Sequence, residues 1–274
     1  MKKCDLHNHS IYSDGSTTPY ELVKYAKEKG LSVVALTDHN TIDGIFELIE
    51  AGKALDFEVV PGAELTTEYK GKEIHLLSLL IKEENIPKMQ DFLLERLKLK
   101  DQSNKDLAKR LTEGGYPVSL EEMKKKYGKN INRAHFAREL IEMGAVTTTK
   151  EAFNTLLLEG GRFYKSIPRP DVCSTIELVR KWQAVPVIAH PLLSLSRELL
   201  EELLPKAKKA GLAGIEVYYP EYTEEQTKYL EDLCQKYDLI KSGGSDYHGE
   251  MKTHSDLATA TTPYENYEKL KNAR

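Results

Sequence analysis

The sequence predicts an α/β protein whose main part is a distorted (β/α)7 barrel with a small helical insertion domain. Short apolar segments alternate with amphipathic helical segments along most of the chain. Predicted strands such as Ser32–Leu36 and Val185–Ala189 are almost continuously apolar, as strands buried on both faces are. Residues 85–165 instead carry charged helical patterns and no clear strand. The length of 274 residues suits one such barrel with an insertion.

The barrel elements follow one another in a regular order. The first strand leads into residues 5–10, and Thr17 or Thr18 is expected to cap the first helix with Pro19 in its first turn. Because helices connect most strands, parallel pairing is expected. The later strands are predicted at 32–36, 58–60, 74–81, 185–189, 214–218 and 239–242, and the helices at 18–29, 42–54, 171–183, 196–210 and 223–236.

The insertion is predicted as a unit of its own, so that residues 1–84 and 166–274 form the barrel and residues 85–165 the helical domain. Its helices are expected at 86–113, 119–127, 132–143 and 149–158, with glycines between them. The insertion holds 16 Lys and Arg against 11 Asp and Glu, while the remainder holds 23 against 32. A basic segment beside an acidic, histidine-rich body suggests metal ions on the body and an anionic substrate.

Composition excludes several classes of protein. The net charge of −4 argues against a general nucleic-acid binder, and no apolar stretch approaches the roughly 20 residues of a membrane span. The first residues show no apolar leader segment. Three widely separated cysteines argue against a disulfide framework. We therefore expect a cytoplasmic protein with no membrane partner.

Six of the eight histidines lie in short polar motifs at or near the ends of predicted strands. A parallel barrel gathers its strand ends on one face, so these side chains are expected to meet in one pocket. His7 and His9 share one side of a strand because they are two residues apart. Imidazole and carboxylate together are typical ligands of zinc, manganese and iron. The motifs are Asp5–Ser10, Thr37-Asp38-His39, Glu64, His75, Ala189-His190-Pro191 and Ser245–His248.

Each motif also has a simpler interpretation when it is taken alone. His75 could be a hydrogen-bonded core histidine, Asp14-Gly15 an ordinary turn, and Asp38 a residue that holds His39 or a loop. Asp5 could orient a ligand from behind. The joint occurrence of six histidines and several carboxylates in step with the strands favours a metal centre. The predicted ligands are His7, His9, Asp14, His39, Glu64, His75, His190, Asp246 and His248.

These motifs resemble those of the PHP (polymerase and histidinol phosphatase) superfamily, and the resemblance spans nearly the whole chain. It implies a distorted (β/α)7 barrel with a trinuclear site for manganese, iron or zinc, and catalytic roles for Asp38, His39 and His248. It further implies that the ligands are shared in three sets: His7, His9, Glu64 and Asp246; Glu64, His75 and His190; Asp14, His39 and His248.

The insertion resembles that of the stand-alone phosphoesterase branch, in which it acts as a substrate cap. Family members often carry Arg-Pro-His where this chain has Arg133-Ala134-His135, so Arg133 and His135 are candidate phosphate contacts. Tyr164, in a stretch from Gly160 to Lys165 that departs from the family pattern, is a third candidate. His254 lies outside every motif, and a loop histidine is expected there.

The resemblance implies a metal-dependent phosphoesterase that uses metal-activated hydroxide to attack phosphorus. The expected substrate is a small nucleotide of the nucleoside 3′,5′-bisphosphate type or the 5′ end of a short oligoribonucleotide, with inorganic phosphate as product. Two alternatives stay open at this point. One is a histidinol-phosphate phosphatase, and the other is a non-catalytic module that binds metal or nucleotide.

Overall fold

The computed structural model describes residues 2–128, 131–251 and 255–274. The chain divides into two compact units. One unit comprises Met1–Asp91 together with Arg169–Arg274, and the other comprises Phe92–Pro168. We call them the barrel unit and the helical unit.

The barrel unit is built on one eight-stranded sheet. Its strand order is β7-β6-β5-β4-β3-β2-β1-β8. Beyond the strands, Leu6 N–H donates to Gly243 O (3.3 Å) and Asp246 N–H to His7 O (2.9 Å), so the end of β7 meets the end of β1 and the sheet nearly closes. The barrel class predicted from the sequence is confirmed. The strands are β1 (Lys3–Asp5), β2 (Val33–Leu36), β3 (Glu58–Tyr69), β4 (Lys72–Leu79), β5 (Val185–Ile188), β6 (Gly214–Tyr218), β7 (Ile240–Gly243) and β8 (Thr262–Pro263).

The expectation of parallel pairing is wrong for β4, which is antiparallel to both β3 and β5. Lys70 and Gly71 join β3 to β4 with φ of 49° and 76°, and two successive positive φ angles are typical of a tight hairpin turn. The strand β3 therefore runs 12 residues instead of ending at residue 60. As a result, Glu64 and His75 lie inside strands and not at their ends.

Helices cover the outside of the sheet and form the helical unit. Thr18 caps α1 in a capping box with Glu21, and Pro19 occupies the first turn, as predicted. The short α8 and the final α11 were not predicted. The helices are α1 (Pro19–Glu28), α2 (Ile45–Leu55), α3 (Ile86–Glu113), α4 (Leu120–Tyr127), α5 (Arg133–Glu142), α6 (Thr149–Asn154), α7 (Val172–Lys181), α8 (Pro191–Ser194), α9 (Arg197–Ala210), α10 (Glu224–Tyr237) and α11 (Tyr264–Asn272).

Each unit has its own hydrophobic core. In the barrel unit, Leu6, Val33 and Leu77 belong to a cluster of buried side chains from the strands and from α11. A second cluster lies between β2 and the helices α1 and α2. In the helical unit, Phe136 and Leu140 of α5 belong to a separate cluster that also takes side chains from α3, α4 and α6. These cores fix the strands whose polar ends carry the histidine motifs. Among the described residues, no helix is long and apolar enough to span a bilayer.

The helix α2 offers a matched test of the barrel core. Leu48 is fully buried on this helix, whereas Phe46, two residues earlier, is 58% exposed. We expect Leu48→Ala to lower the free energy of unfolding by about 2–5 kcal/mol, because it removes buried methyl groups and leaves a cavity. Phe46→Ala should change it by no more than about 0.5 kcal/mol. Urea unfolding of both variants measures the difference, and equal losses would contradict the assignment of this core.

Candidate metal centre

The first histidine motif continues directly from β1. His7 and His9 are two residues apart, are both fully buried, and point to the same side, as the spacing predicted. Their Nε2 atoms lie 3.2 and 3.3 Å from Glu64 Oε2. Two imidazoles from the end of one strand therefore converge on a carboxylate from the hairpin.

Glu64 is the centre of the cluster. Its Oε2 lies 3.0 Å from His39 Nδ1, and its Oε1 lies 2.8 Å from His75 Nδ1 and 3.1 Å from His190 Nε2. Burial alone would raise the pKa of Glu64, but the surrounding imidazoles, His39 and His7 foremost, hold it well below its usual value. The carboxylate is thus ionised, and both of its oxygens face nitrogen atoms that are able to coordinate metal.

The loop after β7 supplies Asp246 and His248. Asp246 Oδ1 lies 3.1 Å from His9 Nε2 and 3.5 Å from His7 Nε2. The other oxygen, Oδ2, accepts a hydrogen bond from Tyr219 Oη (2.9 Å). Asp246 has a φ of 50°, a left-handed conformation that costs energy in most residues. Its backbone N–H, which donates to His7 O, fixes that conformation against the end of β1.

A more exposed group forms around Asp14, which is 38% exposed. Asp14 Oδ1 lies 3.4 Å from His248 Nε2, and its Oδ2 lies 3.7 Å from His39 Nε2. Burial would raise the pKa of Asp14, but His248 and His39 lower it below the usual range. Ser16 links the two loops that carry these residues, because its N–H donates to His248 O (3.1 Å).

The unsatisfied atoms of the cluster fit divalent metal ions. Within the described residues, several buried ring nitrogens and one carboxylate oxygen have no hydrogen-bond partner: His7 Nε2, His9 Nδ1 and Nε2, His75 Nδ1, His190 Nδ1 and Glu64 Oε2. Leaving such atoms unpaired in a protein interior is costly, and a cation satisfies them together. Imidazole with carboxylate is the donor set that zinc, manganese and iron accept.

All nine predicted ligands lie in this cluster. Their donor atoms form four overlapping groups, in each of which the atoms lie within 4.8 Å of one another. One group contains Asp14, His39 and His248, which were predicted to share one ion, together with His9. The division of ligands among three ions stays a prediction. The groups are His9, Asp14, His39 and His248; His7, His9 and Asp246; His7, Glu64 and His190; His39, Glu64 and His75.

Three of the histidines are oriented from behind by an acceptor. His7 Nδ1 contacts Glu216 Oε1 (3.0 Å), His75 Nε2 contacts Glu73 Oε1 (3.1 Å), and His248 Nδ1 contacts Asp246 O (2.8 Å). A carboxylate or a carbonyl oxygen only accepts, so the ring nitrogen in each pair carries the hydrogen. In the neutral ring, the opposite nitrogen then carries a lone pair that is able to bind an ion, which is the usual arrangement of metal-bound histidines.

Asp38, predicted as a catalytic residue, anchors a loop. Its Oδ1 accepts hydrogen bonds from Ser10 N–H (2.8 Å) and Ser13 Oγ (2.5 Å), and its Oδ2 accepts one from Ser10 Oγ (2.7 Å). These contacts position the loop that leads to Asp14. They favour the structural interpretation that the sequence left open, and a direct catalytic role for Asp38 stays a prediction.

Asp5 lies behind the ligands. It accepts hydrogen bonds from the Ser245 backbone N–H (3.0 Å), the Ala258 backbone N–H (3.0 Å) and Asn8 Nδ2 (3.1 Å). Burial raises the pKa of Asp5 to about 6, although these donors oppose the shift. The carboxylate therefore ties the start of the Asp246 loop to β1 and acts as a support for the centre.

The sequence analysis missed Glu216, Tyr219 and Glu73, which contact the ligands from behind. Glu216 is fully buried in β6, between apolar neighbours. The only sign of Glu216 in the sequence was a charged residue in the middle of an apolar strand. Glu216 also lies outside every histidine motif. Tyr219 and Glu73 carry no comparable sign, because a tyrosine and a surface glutamate are common in these positions.

The predicted substrate residues belong to the helical unit. The Arg133 guanidinium lies over the rings of both Phe153 and Tyr164, 4.7 and 4.5 Å from their centres. The ring of His135 stacks on Tyr127 (4.7 Å), and its Nδ1 accepts a hydrogen bond from Asn132 N–H (3.1 Å). Arg133 and Tyr164 are thus brought together, while substrate contact by any of the three stays a prediction. His254 lies outside the described residues.

The sequence model of the PHP domain family matches residues 5–155, which is more than half of the chain. This chain belongs to the PHP domain family. The expected family is therefore confirmed, and the matched region contains the first six predicted ligands.

Curated PHP relatives match over almost their entire length. A 5′-3′ exoribonuclease of Haemophilus influenzae is 32% identical over 268 residues, which cover 96% of this chain and 97% of the relative. A phosphoribosyl 1,2-cyclic phosphate 1,2-diphosphodiesterase of Eggerthella lenta is 29% identical, with 90% and 94% covered. A 3′,5′-nucleoside bisphosphate phosphatase of Chromobacterium violaceum is 27% identical, with 94% and 91% covered.

A solved structure agrees with this family assignment. A Bifidobacterium adolescentis protein described as a metal-dependent phosphoesterase superposes with a TM-score of 0.82 and 26% identity, covering 98% of this chain and 96% of that one. The descriptions of all four relatives name activities on phosphoester bonds. The prediction that this PHP protein is a hydrolase of phosphoesters is confirmed.

Metal binding to this cluster should release protons. Burial opposes charge on the rings, yet Asp246 and Glu64 raise the pKa of His9 to about 9, and Glu64 and Glu73 raise that of His75 to about 10. At pH 7.5 both rings are therefore protonated in the metal-free protein, and both must be neutral to bind an ion. We expect at least two protons to be released, and metal affinity to rise with pH up to about 10, the higher of the two pKa values.

Calorimetric titration of metal-free protein with zinc, in two buffers that differ in ionisation enthalpy, measures the number of protons. His9→Ala serves as the comparison, because it removes one of the two titrating rings and should lower that number. An observed heat that is independent of the buffer would contradict this protonation state.

Proposed function

We propose that this phosphoesterase binds up to three ions of manganese, iron or zinc. The observation that carries the proposal is the cluster of nine ligand side chains around Glu64, in which several buried ring nitrogens of the described residues make no hydrogen bond. For the substrate we propose a nucleoside 3′,5′-bisphosphate or the 5′ end of a short RNA. The names of the relatives, an exoribonuclease and a bisphosphate phosphatase, support that choice.

Bound divalent ions supply an activated water and neutralise charge on the phosphoryl oxygens. The protein residues hold those ions and exclude solvent from most of the centre, since His7, His9 and Glu64 are fully buried. His39 and Asp14 are the more exposed members, with side-chain exposures of 27% and 38%. We infer that substrate enters on this side, where His39 and His248 are placed to contact the phosphate and its leaving oxygen.

The helical unit supplies the proposed phosphate contacts. Residues 85–165 are basic, and contact with two aromatic rings restricts the orientation of the Arg133 guanidinium. A guanidinium in a restricted orientation suits two-point hydrogen bonding to phosphate. We propose that Arg133, His135 and Tyr164 bind a phosphate group of the substrate.

The first test compares two substrates in the presence of manganese. Adenosine 3′,5′-bisphosphate should release inorganic phosphate, or a short 5′-phosphorylated RNA should release mononucleotides stepwise. His9→Ala should abolish either reaction and lower the bound metal, because it removes a ligand of two groups. Glu58→Gln, a change in β3 at a residue that pairs with Lys271, is the control. Full turnover by His9→Ala would overturn the assignment of the centre.

A second test concerns the phosphate contact. Arg133→Ala should raise KM at least about tenfold with metal content unchanged, because a charge-assisted hydrogen bond contributes about 1.5–3 kcal/mol. Arg138→Ala changes an exposed arginine of the same helix and should leave KM unaltered. Steady-state kinetics with metal analysis measures both. Equal KM values for the two variants would remove Arg133 from the substrate site.

A further inference from the structure

Glu216 is a carboxylate of the barrel interior that no histidine motif includes. It lies in β6 with no exposed surface, and its sequence neighbours Ile215 and Val217 are equally buried. An ionised side chain at such a position is costly unless charged or polar groups satisfy it. Its two oxygens therefore have to be explained by what they contact.

Each oxygen of Glu216 accepts from a different histidine. Oε1 contacts His7 Nδ1 (3.0 Å), and Oε2 accepts from the His190 backbone N–H (2.7 Å). His7 follows β1 and His190 follows β5, strands that are not neighbours in the sheet. One side chain thus connects two ligands that the chain delivers from separate strands.

The contact with His7 decides which of its ring nitrogens carries hydrogen. Because the carboxylate only accepts, Nδ1 is the donor. In the neutral ring that metal binding requires, Nε2 therefore presents its lone pair. That Nε2 atom lies 3.2 Å from Glu64 Oε2 and 3.5 Å from Asp246 Oδ1. If the hydrogen were on Nε2 instead, His7 could not bind an ion in this position.

The contact with His190 acts on the backbone. His190 has φ 25° and ψ 55°, a conformation that is disfavoured for a residue with a side chain, and it directly precedes α8. The hydrogen bond to Glu216 fixes its N–H in this turn. This backbone turn orients the His190 ring so that its Nε2 lies 3.1 Å from Glu64 Oε1.

We propose that Glu216 is a positioning residue of the metal centre, which sets the tautomer of His7 and holds the turn of His190 with one carboxylate. The inference rests on the proposal that the cluster binds divalent ions. It does not depend on which phosphoester is the substrate.

Glu216→Gln separates this role from that of a buried residue that merely fills space. The amide has one accepting oxygen and one donating NH2 group, while both partners of Glu216 donate. The backbone N–H of His190 is always a donor, so the amide oxygen of the variant side chain must face it. The NH2 group of the amide then faces His7 Nδ1. His7 is then forced into the other tautomer, with hydrogen on Nε2, and loses a ligand atom.

The experiment measures tautomer and metal affinity in the zinc-loaded protein. Nitrogen-15 NMR of the histidine rings should show hydrogen on Nδ1 of His7. This first measurement uses only the unaltered protein. In Glu216→Gln, zinc affinity from chelator competition should fall about 10–100-fold. Glu58→Gln, an equal change in β3 away from the histidines, should retain the affinity of the unaltered protein.

Two results would overturn the proposal. One is hydrogen on Nε2 of His7, or zinc bound through its Nδ1, in the unaltered protein. The other is a folded Glu216→Gln variant, judged by circular dichroism, that retains full zinc affinity. Neither readout uses phosphoester turnover, so a wrong substrate would leave this test intact, whereas absence of zinc binding by the unaltered protein would refute the proposed function itself.

Discussion

The buried carboxylate of Glu64 is the interaction on which the rest of this structure depends. Its oxygens lie within 3.3 Å of nitrogens from five histidines, which come from β1, β2, β4 and β5 or their continuations. An ionised group in a protein interior is stable only when it is paired, and loss of a partner costs about 3–5 kcal/mol. The barrel must therefore bring these strands to one point, and positive charge from protonated rings or from metal ions is needed there.

The hairpin of β3 and β4 explains how one carboxylate reaches so many rings. In its register Glu64 pairs with Leu77 and Thr66 with His75, so Glu64 and His75 are diagonal neighbours on one face of the sheet. The antiparallel hairpin places both residues in mid-strand, where neighbouring backbone hydrogen bonds fix their positions.

The sequence predicted what is local and missed what depends on distant parts of the chain. The i, i+2 spacing of His7 and His9 determines their common side, and the alternation of strands and helices determines the barrel, so both were predicted. The hairpin was missed because Lys70-Gly71 is a weak turn pattern, although its φ angles are decisive in the structure. Glu216 was missed because its partners lie 209 and 26 residues away, and no spacing rule connects them.

Closure of the barrel and assembly of the centre have the same physical cause. A Cβ on Gly244 would lie 2.6 Å from the His7 backbone nitrogen, so the segment after β7 approaches β1 only because this residue has no side chain. That approach lets Asp246 N–H bond to His7 O and lets Asp5 hold Ser245. Asp246 is thereby fixed in a left-handed conformation beside His9. The strained conformation of Asp246 is therefore maintained by a hydrogen bond that also closes the sheet, whereas that of His190 is maintained by the side chain of Glu216. The backbone of the barrel and the geometry of the ligands thus depend on the same contacts.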